Sequence, residues 1–180
     1  MPNYGIAYTN LGSIMLKKGN HKEAEMHTRK AIEINPKCGI SHSNLGGILM
    51  RLGKFQEAET TTRKGIELNP HYKEAYSNLG SILRDLGEPL DAKLSQLKAL
   101  NIQPDLAIAH SNLGGILIDL GKLQKAEIST RKAIELNPNF ADAYSNLGII
   151  LKDLGKLQEA ELSARKAIKL NPKNYAAYSN

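Results

Sequence analysis

The tetrapeptide Ser43-Asn44-Leu45-Gly46 returns 34 residues later as Ser77-Asn78-Leu79-Gly80, and again at 111–114 and 145–148. Thr9-Asn10-Leu11-Gly12 opens the series, and Ser179-Asn180 stands where another copy would begin. A period of this length means stacked supersecondary units, none of which can bury its own apolar face alone. Stability then comes from each unit and its contact with the next, not from one central core. The chain is therefore expected to be a solenoid.

Residues 141–174 show what one unit is. Ala143, Leu147, Ile150, Leu151 and Leu154 fall at helical spacings and predict a first helix over 141–154. Gly155 follows as a left-handed helix terminator. Leu157, Ala160, Ala164, Ala167, Ile168 and Leu170 trace a second helix over 157–170, which Asn171-Pro172 stops because proline disfavours helical geometry in the residue before it. Gly148 sits inside the first helix at a cost of about 1 kcal/mol relative to alanine. Close approach of the second helix should compensate there and at Gly12, Gly46, Gly80 and Gly114. The small residues that would face that approach are Ala160 and Ala167, with Ala24 and Ala31, Ala58 and Gly65, Ala92 and Ala99, and Ala126 and Ala133 as their equivalents.

In order, Tyr144, Leu147, Gly148, Leu151, Ala160, Ala167 and Pro172 match the pattern of the tetratricopeptide repeat (TPR) family, which this chain resembles over its whole length. The resemblance implies an all-α, right-handed superhelical solenoid of tandem helix-turn-helix repeats, here placed at 5–38, 39–72, 73–106, 107–140 and 141–174. The chain departs from the family where a late aromatic of the second helix gives way to Thr28, Thr62, Gln96, Thr130 and Ala164, which predicts a less apolar seam. His42 and His110 replace a tyrosine found in other copies, and Pro89 enters early in the second helix of the third copy, where a missing N–H is tolerated. Residues 1–4 read as the tail of a preceding repeat and 175–180 as the start of a sixth, so the expectation is a single array cut from a longer one. Its two open faces should favour end-to-end self-association.

In this fold the first helices line the concave face, so Asn10, Asn44, Asn78, Asn112, Asn146 and Asn180 would form a ladder along it. The ladder resembles the one in the repeat domain of protein O-linked N-acetylglucosamine transferases, which holds peptide backbones. An asparagine offers a donor and an acceptor, which suits a peptide unit without reading its side chains. Helices roughly 8–10 Å apart would set about one rung per three residues of an extended peptide rising roughly 3.3 Å per residue. The competing account is that these asparagines bond to neighbouring helices. Farther along the same helices, Lys17, Arg51, Asp85, Asp119 and Asp153 run from basic to acidic and would edge the groove. Exposed charges of that kind are worth little singly.

No catalytic constellation appears. His21 and His27 are six apart, which does not put them on one helix face as metal ligands, and Cys38 has no recurrent His or Asp beside it. Gly46-Gly47 and Gly114-Gly115 lie inside predicted helices, not in a phosphate loop. The reading is a non-enzymatic scaffold that binds an extended peptide or partner segment, with no cofactor and no metal. One alternative is the substrate-recruiting region of a larger glycosyltransferase-type enzyme. Another is an RNA-binding helical repeat, which the net charge of +6 favours and the few aromatics disfavour. Much of that charge belongs to an outer face where Arg29, Arg63, Arg131 and Arg165 each follow a glutamate by four residues, the spacing of a helical ion pair. One cysteine permits no internal disulfide, and no apolar run is long enough to span a bilayer, so the expected setting is cytoplasmic and away from membranes.

Overall fold

The structure, a computed structural model, describes the backbone of residues 2–172. Among the described residues there are ten α-helices and no strand: α1 Pro2–Lys17, α2 His21–Ile34, α3 Gly39–Arg51, α4 Phe55–Leu68, α5 Lys73–Asp85, α6 Pro89–Ile102, α7 Ala107–Asp119, α8 Leu123–Leu136, α9 Ala141–Asp153 and α10 Leu157–Leu170. They pair as helical hairpins in two compact units, 1–102 with α1–α6 and 103–180 with α7–α10.

The turn inside each hairpin follows from one glycine. After α3, Gly53 has φ +72°, its N–H donates to the Met50 carbonyl at 3.0 Å, and the next N–H, of Lys54, reaches back to Leu49 O at 2.9 Å. Gly155 repeats this after α9 with φ +76° and the Lys156 N–H on Leu151 O at 2.8 Å. These paired bonds satisfy carbonyls that a helix end leaves open, and they need a residue without a Cβ penalty at positive φ. Between hairpins, the Asn137 side chain accepts the Asn139 N–H at 3.1 Å, an Asx turn that carries the chain past Pro138. α6 starts at Pro89, the first helical position where its missing N–H costs nothing.

The core is a row of small clusters. In the first unit Leu45, Leu49, Ala58 and Ile82 pack together across three helices, with Ile32, Met50 and Leu86 against them. In the second, Leu147, Leu151 and Ala160 pack with Ile134. The small residues that the spacing assigned to the close helix contact are buried in both units: Ala24 and Ala31, Ala58 and Gly65, Ala92 and Ala99, Ala126 and Ala133, and Ala160 and Ala167.

The glycines opposite them are not equivalent. A Cβ on Gly46 would run into the Thr62 hydroxyl and stand 3.0 Å from the Ala58 carbonyl; one on Gly80 would meet the Gln96 amide and lie 3.0 Å from Ala92 O. At Gly148 the nearest atoms are Ala160 O at 3.5 Å and Ala164 N at 3.6 Å, an ordinary contact. The expectation that close approach compensates every mid-helix glycine is thus corrected for the last copy. Gly148 faces Ala164, which is too short to crowd it, whereas its counterparts face a threonine or glutamine.

Those threonines also explain the missing family aromatic. Thr28 and Thr62 are fully buried, yet each hydroxyl donates to the carbonyl four residues back, Ala24 O at 2.8 Å and Ala58 O at 2.7 Å. Gln96 is fully buried too, and its Nε2 donates to Ser77 O at 2.9 Å. At these three positions burial is tolerated because each donor is satisfied within its hairpin, whereas the equivalent Thr130 hydroxyl is buried without a partner.

Candidate functional site

The asparagine rungs from Asn10 to Asn146 recur at one position of each first helix, and at Asn44, Asn78 and Asn146 the amide nitrogen is already engaged. Asn44 Nδ2 donates to Ser13 Oγ at 3.3 Å, and Asn78 Nδ2 to Ser43 O at 3.3 Å in the first unit. In the second unit Asn146 Nδ2 donates to Ser111 O at 3.2 Å. The bond each time runs to the first helix of the preceding hairpin, so the rung ties adjacent first helices together. In none of these bonds does the side-chain carbonyl Oδ1 take part. A half-buried asparagine held by its nitrogen presents an acceptor, and a peptide N–H is the group that fits it.

In the first unit Asn44 and Asn78 open into one depression of about 160 Å³, lined also by Ser13, Gly47, Met50 and Arg51. Gly47 keeps it open, for a Cβ there would lie 3.3 Å from Asn78 Nδ2. Arg51 puts a cation at its rim, exposed at the end of α3. Asn10 is exposed on α1, Asn112 is half-buried on α7, and Asn180 lies outside the described residues. Lys17, Asp85, Asp119 and Asp153 are all exposed at the ends of their first helices, and Asp153 sits 3.9 Å from Lys152.

Second helices carry the opposite face. Each predicted Glu–Arg pair forms: Glu25–Arg29 at 2.7 Å, Glu59–Arg63 at 2.9 Å, Glu127–Arg131 at 2.8 Å and Glu161–Arg165 at 2.7 Å. Sequence reasoning missed the links between hairpins. Lys54 reaches back to Glu25 at 2.9 Å and Arg29 forward to Glu57 at 2.5 Å; Lys156 reaches Glu127 at 3.0 Å and Arg131 reaches Glu159 at 3.0 Å. Separations of 28 or 29 residues acquire meaning only once two second helices lie side by side. Burial opposes charge on Glu25 most strongly, but the hydrogen bonds from Lys54 and Arg29 together hold its carboxyl below the ordinary range. For Glu127 the Lys156 bond is the largest influence and works in the same direction.

Three of the five histidines serve turns and helix contacts. His42 and His110 each place Nε2 2.9 Å from the carbonyl of the proline six residues back, Pro36 and Pro104. His27 stacks on Tyr8 with ring centroids 6.0 Å apart. Among the described residues no three His, Cys, Asp or Glu side chains gather as a metal site would need, and no helix is long and apolar enough to cross a membrane.

Comparison with known proteins agrees with this architecture. The tetratricopeptide repeat model matches residues 6–38, 41–72 and 73–106, a second TPR repeat model matches 115–155, and a third matches 141–174. No curated protein sequence matches the chain. Among solved structures, a thermophilic TPR protein of Thermus thermophilus is similar at 22% identity with a TM-score of 0.84, covering 96% of this chain and 94% of that one. MamA is similar at 26% identity and TM-score 0.69, covering 100% and 98%. YrrB, a TPR protein described as having an unusual peptide-binding site, is similar at 21% identity and TM-score 0.65, covering 97% and 90%. The helical hairpins match TPR solenoids, and the role that such repeats support is protein interaction. From its matched repeats and its fold, the chain belongs to the tetratricopeptide repeat family.

Proposed function

We propose that this chain is a non-catalytic scaffold that holds an extended peptide or partner segment against its first helices. The observation that supports it most is the depression in the first unit, where Asn44 and Asn78 line one floor with Gly47 between them and Arg51 at the rim. Each rung offers Oδ1 to a peptide N–H, while its nitrogen stays on the preceding helix. Asn146 offers the same group in the second unit. The positive rim favours a segment with an acidic residue close to the bound backbone. YrrB, a protein of the same fold described as carrying a peptide-binding site, supports a peptide as the ligand class. A longer glycosyltransferase-type chain would use the same surface to recruit substrate. RNA is the competing ligand, and its affinity would fall steeply with salt.

The test is a peptide-library selection followed by affinity and melting measurements on two variants. Asn78→Ala removes both donor and acceptor. It should weaken peptide binding by about 1 kcal/mol, the net value of one neutral hydrogen bond, and lower stability by a similar amount. Asn78→Asp replaces the donor to Ser43 with a second, negatively charged acceptor oxygen, so it should lower stability and keep the acceptor that a peptide needs. Equal affinity for wild type and Asn78→Ala would remove the rung from the site.

A second reading, self-association, is supported by α1. Ile14 is 48% exposed although its equivalents Ile48, Ile82, Ile116 and Ile150 are fully buried. On α9 and α10 an open groove of about 430 Å³, lined by Gly148, Ile149, Leu157 and Ala164 among others, offers an apolar surface. End-to-end association of copies would cover both, and light scattering across protein concentration would detect it. The segment 175–180, expected to begin a further helix, lies outside the described residues.

A further inference from the structure

The third hairpin breaks the rule that the outer face follows elsewhere. At the position of Leu90 the other copies carry Lys22, Gln56, Gln124 and Gln158, and at Leu97 they carry Arg29, Arg63, Arg131 and Arg165. The glutamate that pairs with each of those arginines is replaced by Lys93. On α6 two polar positions have become Leu90 and Leu97, which join Leu94, a position that is also apolar as Met26, Ile128 and Leu162 in other copies; the three leucines are 61%, 45% and 57% exposed in that order. Spacings of four and then three residues set them on one stripe along about two helical turns. None is needed for the hairpin core, which α6 supplies from its other side with Ala92, Ser95, Gln96 and Ala99.

That stripe has the spacing of a coiled-coil seam. With Leu90 and Leu97 at d and Leu94 at a, Lys93 falls at g and Asp91 and Lys98 at e, and Asn101 takes the next a position. A seam of this kind accepts another helix, and the flanks choose it by charge. Lys98 is exposed and Lys93 half-exposed on opposite edges of the leucines, with Asp91 the one acidic residue beside them. We propose that the outer face of α6 docks a partner helix whose own heptad stripe of apolar residues is flanked by acidic side chains. A second copy of α6 fits less well. Pairing antiparallel about the centre of the stripe would set Lys93 of each copy against Lys93 of the other, a like-charge contact in the middle of the seam, even though Lys98 would meet Asp91 at its edges.

The experiment uses the full chain and a synthetic three-heptad helix with Leu at a and d and Glu at e and g, labelled for fluorescence anisotropy. The test variant is Leu90→Gln/Leu97→Arg, which installs residues that the other hairpins already carry, so helicity is expected to hold and is checked by circular dichroism. Wild type should bind the acidic helix, the variant should bind about tenfold or more weakly, and a matched probe with Lys at e and g should bind wild type about tenfold more weakly. The site is separate from the asparagine rungs, so Asn44→Ala/Asn78→Ala should leave this binding unchanged. Equal affinity of wild type and variant for the acidic helix would overturn the proposal. So would leucine-dependent sedimentation with phosphatidylserine vesicles without helix binding, or a leucine-dependent homodimer in light scattering that the probe does not displace.

Discussion

At the residue scale the fold turns on which small side chains meet. Gly46 and Gly148 hold the same place in the repeat, and sequence treats them alike. Space does not: Gly46 faces Thr62 and the Ala58 carbonyl, whereas Gly148 faces only Ala164 and backbone at ordinary contact. Gly46→Ala should therefore destabilise by roughly 1–3 kcal/mol through overpacking. Gly148→Ala should stabilise by up to about 1 kcal/mol, because alanine is the better helix former and meets no obstacle. Urea denaturation of both variants checks the pair, and equal losses would show that the last hairpin is as tight as the second. Buried hydroxyls give a parallel contrast. Thr62 donates to Ala58 O at 2.7 Å, while the Thr130 hydroxyl is buried without a hydrogen-bond partner. Thr62→Val should cost about 1 kcal/mol and Thr130→Val should be neutral or stabilising. Nothing in the order of residues distinguishes those two threonines.

At the element scale, helix limits were legible because each end has its own chemistry. The specimen helices predicted at 141–154 and 157–170 are found at Ala141–Asp153 and Leu157–Leu170, bounded by Gly155 and by Asn171-Pro172. The Glu–Arg pairs within a helix were equally legible, since a spacing of four fixes neighbours on one face. What was not legible is which helices lie side by side, and so the lysine links between second helices escaped notice. Lys156→Met should cost about 0.2–1 kcal/mol at low salt, as exposed pairs do, and less in 1 M salt where screening reaches roughly 3 Å. The pH dependence has a definite sign. Glu127 has a carboxyl pKa held below its ordinary 4.5, so the pair contributes in full above that value and is lost as pH falls through the lowered one. The difference between wild type and Lys156→Met in urea midpoints should thus be present at neutral pH and close once the carboxyl is protonated in acid. A constant difference would place the effect in packing of the lysine stem instead.

At the scale of the whole molecule, contacts inside each unit run between neighbouring hairpins: α3 packs on α1, α2, α4 and α5, and α9 on α7, α8 and α10. Such a chain has no contact that every hairpin shares. Heat should unfold it with a calorimetric enthalpy above the van't Hoff enthalpy, and equality of the two would mean an all-or-none transition. The repeat period alone implies this modular character. It does not announce how the asparagine rungs are used, because a side chain with both donor and acceptor fits helix and ligand equally well on paper. The bond from Asn78 to Ser43 O divides those roles by assigning the nitrogen to the fold. The proposed peptide site rests on the remaining oxygen. Its most direct test is an NMR titration of the labelled protein with a library-selected peptide, following backbone amides and asparagine side-chain signals. The account predicts shifts concentrated at Ser13, Asn44, Gly47, Arg51 and Asn78, whereas shifts confined to the second helices would contradict it.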